Sequence, residues 1–341
     1  MFSCSHVLKE MNIELNKLYP LKFQPILKQK LWGGDKIQNI YRHNEPKLET
    51  VGESWDVSAM EEADCEVING WLEGNTLADL TEVYMGDLVG DRVYEQYGAE
   101  FPLLLKIIDS NRDLSIQVHP NDELADEEHG LRGKTEMWYV LDAEKDAYIT
   151  LGFNRYVSKA EYIERVATSN LEEVLQKYPV KKGDVYFIPA GMVHSIGKGC
   201  LIMEVQQASD LTYRIYDFNR KDADGNLREL HTELAQRAID YENWQGRKIT
   251  LQPAQNGIVN LVECPYFQVN EMQIDKPKEY DLAPINSFVL LSCVEGHVTL
   301  KWDDDYLTLV EGETVLIPAE MNSLYIVPTV NTKLLETYIN N

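Results

Sequence analysis

The chain has no uninterrupted apolar run approaching the roughly 20 residues that a membrane-spanning helix needs. Its first 19 residues mix charges with isolated apolar side chains and lack the apolar centre of a signal peptide, so a cytoplasmic location is expected. Met11 offers an alternative start, which would make residues 1–10 dispensable. Cysteine is scarce and scattered: Cys4, Cys65, Cys200, Cys264 and Cys293, with no Cys-x-x-Cys pair. That pattern excludes a zinc–thiolate framework and a disulfide scaffold, and fits small buried side chains in a reducing compartment. Positive charge is also in deficit. With 32 Lys and Arg against 56 Asp and Glu, the formal net charge is −24, which argues against nucleic acid or an anionic membrane as partner. An anionic substrate must then be drawn by a local cationic patch against the overall field. Low-complexity tracts are missing too, and 44% apolar with 26% charged residues is an ordinary globular composition. The length of 341 residues allows two or three domains and leaves the oligomeric state open.

What is present is a β pattern with polar residues in unusual places. The run Leu114-Ser115-Ile116-Gln117-Val118-His119-Pro120 alternates, with Leu114, Ile116 and Val118 on one face and Ser115, Gln117 and His119 on the other. It follows an apolar strand from Pro102 to Ile108 and therefore belongs inside a sheet, where a polar face is costly unless the interior uses it. Two readings of this stretch stand side by side: a half-solvated edge strand, or the lumen of a barrel holding a metal and a polar ligand. A strand over 134–141 puts Lys134, Glu136 and Trp138 on one face, and a strand over 201–207 sets Glu204 and Gln206 opposite Leu201, Met203 and Val205. Helices are expected over 77–97 with Thr76 as cap, over 158–178 with Ser158 and Glu161 forming a capping box, and over 230–241. The acidic stretch 121–133 reads as a solvated loop, and 243–253 as a linker or crossover.

An internal echo sets the architecture. Residues 311–323 repeat the pattern of 183–194: Gly, an acid, apolar residues, Ile-Pro-Ala, then Met. Upstream, 287–300 parallels 138–151, and the first copy is longer by about one helix. The fold class expected is mainly β, with two cupin-like jelly-roll units and helical insertions in the first. The division expected is 1–250, a catalytic domain with N-terminal strands, and 251–341, a cupin-like β domain without metal ligands. In this alignment His194 is matched by Ser323, and Glu136 by Ile285 or Asn286, so only the first unit keeps candidate ligands.

His119 (with Gln117 beside it), Glu136 and His194 are those candidates. Nitrogen and oxygen donors without thiolate suit Zn²⁺, Mn²⁺ or Fe²⁺, and two histidines plus a carboxylate with an open position form a catalytic pattern that non-haem iron oxygenases share. The remaining histidines, His6, His43, His129, His231 and His297, read as structural or exposed. Arg214 alternates with Leu211, Tyr213 and Ile215; on residue types alone an ion pair with Asp210 or Asp217 accounts for it nearly as well as a functional role.

Four stretches carry a specific resemblance: Gln117-Val118-His119-Pro120, Gly133-Lys134-Thr135-Glu136-Met137-Trp138-Tyr139, the run from Phe187 to Ser195, and the run from Glu204 to Asp217. They resemble the type I, cupin-fold, zinc-dependent mannose-6-phosphate isomerases. Leu31-Trp32-Gly33-Gly34 and the run from Glu53 to Ser58 are similar to the same family, so the likeness covers most of the chain, in its compact bacterial form. The resemblance implies one Zn²⁺ per chain, held by Gln117, His119, Glu136 and His194. It implies interconversion of mannose 6-phosphate and fructose 6-phosphate through a cis-enediol, with a sugar phosphate as the small-molecule partner. Arg214 would be the catalytic arginine and Lys134 a second cation. Glu204, on the polar face of its strand, is the candidate base, with a zinc-bound hydroxide or a histidine as the alternatives. Ser115 and Asp210 would contact the substrate. An iron-dependent cupin oxygenase and a non-catalytic sugar-binding cupin are the competing readings, separated by metal identity, oxygen consumption and turnover.

Overall fold

The computed structural model describes residues 17–221, 225–250 and 257–340. Cys4, His6, the start at Met11 and the end of the 243–253 linker lie outside the described residues. Packing gathers the chain into two compact units, each assembled from separated stretches. One comprises Leu27–Ser54 and Leu104–Thr250; the other comprises the described residues up to Ile26, Trp55–Leu103, and those from 257 to 340. These units do not follow a single cut after residue 250.

In the unit built on Leu104–Thr250, strands β1 (Ile26–Gly34) and β2 (Val51–Val57) precede β3 (Leu103–Ser110), β4 (Ile116–Val118), β5 (Glu136–Ala143) and β6 (Tyr148–Phe153). They are followed by β7 (Leu175–Pro179), β8 (Val185–Ile188), β9 (His194–Ile196), β10 (Cys200–Gln207) and β11 (Tyr213–Tyr216). The order in one sheet is β8-β5-β10-β3-β1-β2, and in the second β7-β6-β9-β4-β11. Ile108, Trp138, Tyr186 and Ile202 from the first sheet share a core with Ile149, Leu151 and Ile196 from the second. β3 is buried along its whole length, so it reads as an apolar run rather than an alternation.

The other unit repeats this plan with β12 (Gln268–Ile274), β13 (Lys278–Asp281), β14 (Val289–Glu295), β15 (His297–Trp302), β16 (Asp305–Val310), β17 (Thr314–Ile317), β18 (Ser323–Pro328) and β19 (Thr332–Tyr338). Its sheets contain the orders β17-β14-β19-β12 and β16-β15-β18-β13. These match β8-β5-β10-β3 and β7-β6-β9-β4 strand for strand, so the duplication read from Ile-Pro-Ala extends to the whole jelly roll. Register corrects one detail. Ile188 faces Glu136 across the β8–β5 pair, and Ile317 faces Val289 across β17–β14, so the counterpart of Glu136 is Val289, not Ile285 or Asn286. From Ile285 the slip is four residues, an even number that leaves the inward and outward pattern of a strand unchanged; from Asn286 it is three, which inverts that pattern. His194 opens β9 as Ser323 opens β18, as the alignment expected.

Helices occupy the insertions. Thr76 caps α1 (Leu77–Val89) by accepting from the Asp79 N–H at 3.3 Å, but the expected helix over 77–97 is kinked at Met85, φ +47°, and broken again at Gly90, φ +96°, before α2 (Asp91–Tyr97). A side chain at Gly90 would bring its Cβ within 2.7 Å of the Asn286 carbonyl oxygen. The stretch 121–133 is not a loop. Asn121 accepts from the Leu124 N–H at 3.0 Å and starts α3 (Asp122–His129), with Asp122 and Glu123 at its positive end and Gly130 closing it in the left-handed region. The helix expected over 158–178 ends early: α4 (Lys159–Ala167) stops before Ser169, φ +57°, and Leu175–Pro179 pairs with β6 instead. Ser158 does cap it, accepting from the Glu161 N–H at 3.2 Å, while the Glu161 carboxylate turns to Arg155 and Arg165. The helix expected near 230–241 is α5 (Thr232–Ala238). Described linker residues bridge back to this unit, Gln245 to Gly152 and Lys248 to Tyr186. No disulfide joins the described cysteines to one another, and no described helix is long and apolar enough to cross a membrane.

Candidate active site

Two sheets of one jelly roll bring three ligands to one point. His119 lies one residue beyond β4, Glu136 is the first residue of β5, and His194 is the first of β9, where it pairs with Gln117 of β4. The imidazole centroids are 4.7 Å apart, and each Nε2 lies 3.5 Å from a Glu136 oxygen. The ligand atoms all fall within 4.8 Å of one another, and each residue is only 1% exposed. The Nδ1 of His119 meets the Leu211 carbonyl at 2.7 Å, and that of His194 meets the Met192 carbonyl at 2.8 Å. Donation to a carbonyl places the proton on Nδ1 and leaves each Nε2 with a lone pair facing inward.

Of those inward atoms, His194 Nε2 meets the Gln117 amide, but the others find no hydrogen-bond partner among the described residues. His119 Nε2 and both Glu136 oxygens are buried without a hydrogen-bond partner. Several unsatisfied buried acceptors aimed at one point are expensive unless a cation receives them. Electrostatics agrees. Burial, reinforced by the Lys134 charge, pulls the His119 pKa down to about 3, so the ring is neutral and free to ligate. Burial opposes ionisation of Glu136, but the neighbouring Lys134 charge foremost holds the carboxyl well below the usual range. The donor set fits a divalent metal of the Zn²⁺, Mn²⁺ or Fe²⁺ type. Gln117 stands beside the cluster. Its Oε1 accepts from Ser115 Oγ at 3.0 Å and its Nε2 lies 3.2 Å from His194 Nε2, so ligation through oxygen requires a half-turn of the amide.

A cavity of about 220 Å³ opens next to these ligands, and Ser115, Lys134, Glu204, Asp210 and Arg214 all line it. Glu204 Oε2 accepts from the Trp138 indole N–H at 2.7 Å, while Oε1 lies 3.4 Å from Lys106 Nζ and 3.9 Å from Lys134 Nζ. Burial pushes the Glu204 carboxyl pKa up, with the Glu136 charge adding to it. Lys134 Nζ also lies 3.4 Å from Glu136 Oε2, so one ammonium links the ligand cluster to the cavity acid.

The ion-pair reading of Arg214 fails on geometry. The Asp217 carboxylate takes Arg220 and Arg228, Asp210 is exposed, and no ion pair joins Arg214 to a carboxylate among the described residues. Its Nη1 donates to the Glu229 carbonyl at 3.0 Å, and its Nε is buried with no partner. Burial and the Arg228 charge both work against this guanidinium.

Sequence reading missed several wall residues. Lys106 is 3% exposed in the middle of β3; burial works against its charge, but Glu53, Glu204 and other acids outweigh that and hold its pKa up. The signal was available, since a lone lysine inside Leu-Leu-Leu-Lys-Ile-Ile has no reason to be there unless the interior uses it. Lys30, 3.3 Å from Glu53, and Arg228, 3.3 Å from Asp217, also line the cavity, and their local sequence gives no comparable signal.

Comparison with known proteins agrees with the geometry. The family described as phosphomannose isomerase type I, catalytic domain, matches residues 20–153, and the mannose-6-phosphate isomerase cupin domain matches residues 257–333. Mannose-6-phosphate isomerase ManA of Bacillus subtilis is 37% identical over 305 residues, covering 88% of this chain and 93% of that protein. The mannose-6-phosphate isomerase of Streptococcus mutans is 35% identical over 308 residues, covering 89% and 94%. A crystal structure of the mannose 6-phosphate isomerase from Bacillus subtilis superposes with a TM-score of 0.85 at 33% identity, covering 94% of this chain and all of that one.

Proposed function

Because the chain belongs to the type I phosphomannose isomerase family, we propose that it interconverts D-mannose 6-phosphate and D-fructose 6-phosphate in the cavity beside His119, Glu136 and His194. Family membership sets aside the iron-oxygenase and binding-only readings. The observation that carries the proposal is the pairing of a buried ligand cluster, whose His119 Nε2 and Glu136 oxygens have no hydrogen-bond partner among the described residues, with an arginine that forms no ion pair with a described carboxylate. Such a cavity suits an anionic, oxygen-rich substrate whose reaction develops negative charge.

Isomerisation moves one proton between C2 and C1 of the open-chain sugar. The C2–H bond breaks, its electrons form a C1–C2 double bond, and the C1 carbonyl oxygen takes a proton to become a hydroxyl, balanced by the proton that the C2 hydroxyl releases in the second half of the reaction. The cis-enediol then takes a proton at C1 while the C2 hydroxyl becomes a carbonyl. We assign the proton transfer to Glu204. Its Oε1 is buried and lacks a hydrogen-bond partner, and burial raises its affinity for a proton toward the range where a base is effective. Lys106 and the Trp138 indole hold that carboxylate in place. Arg214 presents fixed donors to the oxygens that gain charge in the enediolate, and Lys134 adds a second cation. Ser115 and Asp210 are assigned to substrate hydroxyls. His119, Glu136 and His194, with the Gln117 amide oxygen as a further candidate ligand, would hold a divalent metal that we take to be one Zn²⁺ per chain and that would supply a Lewis acid for the substrate oxygens. The second jelly roll, with Val289 and Ser323 at the ligand positions, has no share in this chemistry. A cytoplasmic location fits a phosphorylated metabolite as substrate.

The test compares sugars. Turnover of mannose 6-phosphate is expected, with a KM far below that for unphosphorylated mannose and a KM that rises with ionic strength as the cationic wall is screened. Equal KM values for the two sugars would show that the phosphate is not recognised, and no turnover of either would overturn the assignment.

A further inference from the structure

We propose that His231 is a positioning residue for Arg214, acting through its Nδ1 atom on the backbone of β11. The proposal rests on the catalytic reading of Arg214 given above. Both main-chain groups of Arg214 are tied to this one residue: the His231 N–H donates to the Arg214 carbonyl at 2.7 Å, and the Arg214 N–H donates to His231 Nδ1 at 3.2 Å. Two residues earlier, the Glu229 carbonyl accepts from Arg214 Nη1 at 3.0 Å. A three-residue segment therefore grips Arg214 at both ends of its side chain. The segment is anchored in turn, because the His231 carbonyl accepts from the Ala235 N–H at 2.8 Å and so begins α5.

The choice of residue makes chemical sense. A carboxylate at this position would also accept from the Arg214 N–H, but it would neutralise the guanidinium that the cavity presents. A neutral imidazole accepts the bond without adding negative charge. Its surroundings favour that form: burial and the Arg214 charge both lower the His231 pKa. The groups facing the ring are Tyr213, at 6.3 Å between centroids, the Glu229 carboxylate, 4.0 Å from Nε2, and at longer range His129. The carboxylate suits a proton on Nε2, which leaves Nδ1 as the acceptor. A firm hold on Arg214 thus comes from a segment that binds it through backbone groups and a neutral ring rather than through a carboxylate bonded to its guanidinium.

The experiment separates geometry from stability with two variants. His231→Asn places an amide oxygen near the former Nδ1, whereas His231→Gln moves its oxygen toward the Nε2 position and out of reach of the Arg214 N–H. Metal content, melting temperature, kcat and KM for mannose 6-phosphate are measured on each, alone and combined with Arg214→Lys. H231Q is expected to keep its metal and to bind substrate with KM within about twofold, while kcat falls by about tenfold or more. H231N is expected to restore most of that loss. In the R214K background H231Q should cost little further, because the guanidinium that His231 positions is already gone. If H231Q does not fold, H231A carries the same expectation. Unchanged kcat per folded molecule in H231Q, equal impairment of H231N and H231Q, or a full further loss in the R214K background would each overturn the proposal. Normal kcat in R214K alone would instead overturn the reading of Arg214 on which it rests.

Discussion

Replacing Arg214 by lysine is expected to leave folding and metal content intact while lowering kcat by about 10²–10³-fold. The guanidinium offers several donors in a fixed plane, and lysine offers one compact charge on a flexible stem. If those donors meet the enediolate, their bonds strengthen in the transition state, and kcat falls more than KM rises. A purely structural arginine predicts the opposite pattern, a lower melting temperature with kcat per folded molecule unchanged. The geometry already speaks against it. With Asp217 committed to Arg220 and Arg228, Arg214 has no ion pair to lose among the described residues, where its side chain bonds to the Glu229 carbonyl. Melting temperature, metal content and kcat measured on one preparation decide between the two.

Glu136→Gln is expected to have the larger effect. An amide of the same shape still fits beside His119 and His194, but it removes the negative charge that balances a divalent ion and the ionic contact to Lys134, 3.4 Å away. Metal binding should weaken sharply, and with it the charge stabilisation that a Lewis acid contributes, several kcal/mol. At about 1.4 kcal/mol per decade this is on the order of 10³-fold in turnover. Elemental analysis and kcat should fall together. E136Q that retains stoichiometric metal and near-normal turnover would remove Glu136 from the ligand set.

The duplication was legible because Ile-Pro-Ala and its Gly-acid approach mark a bend that both jelly rolls need. Its detailed alignment was not, since a four-residue slip preserves the strand period and only the hairpin register separates Val289 from Ile285. Helix 158–178 was over-extended for a related reason: Leu171, Val174 and Leu175 sit at helical spacing, yet Ser169 turns left-handed and the chain re-enters the sheet at Leu175. At the site, the alternating strands made His119, Glu136, His194, Glu204 and Arg214 visible as a polar interior face. Lys106 escaped because β3 is buried on both sides, and a continuous apolar run hides which face looks into the cavity. The hold of His231 on Arg214 depends on a loop returning to a strand edge, which no local pattern records.

The most direct measurement of the central claim is the rate of mannose 6-phosphate isomerisation by the unmodified protein before chelation, after exhaustive chelation, and after metal is restored, with bound metal counted at each stage. Activity that disappears with about one metal per chain and returns with it is the result expected from a single His119–Glu136–His194 centre. Full activity after the metal has gone, or a second stoichiometric metal required for turnover, would contradict it.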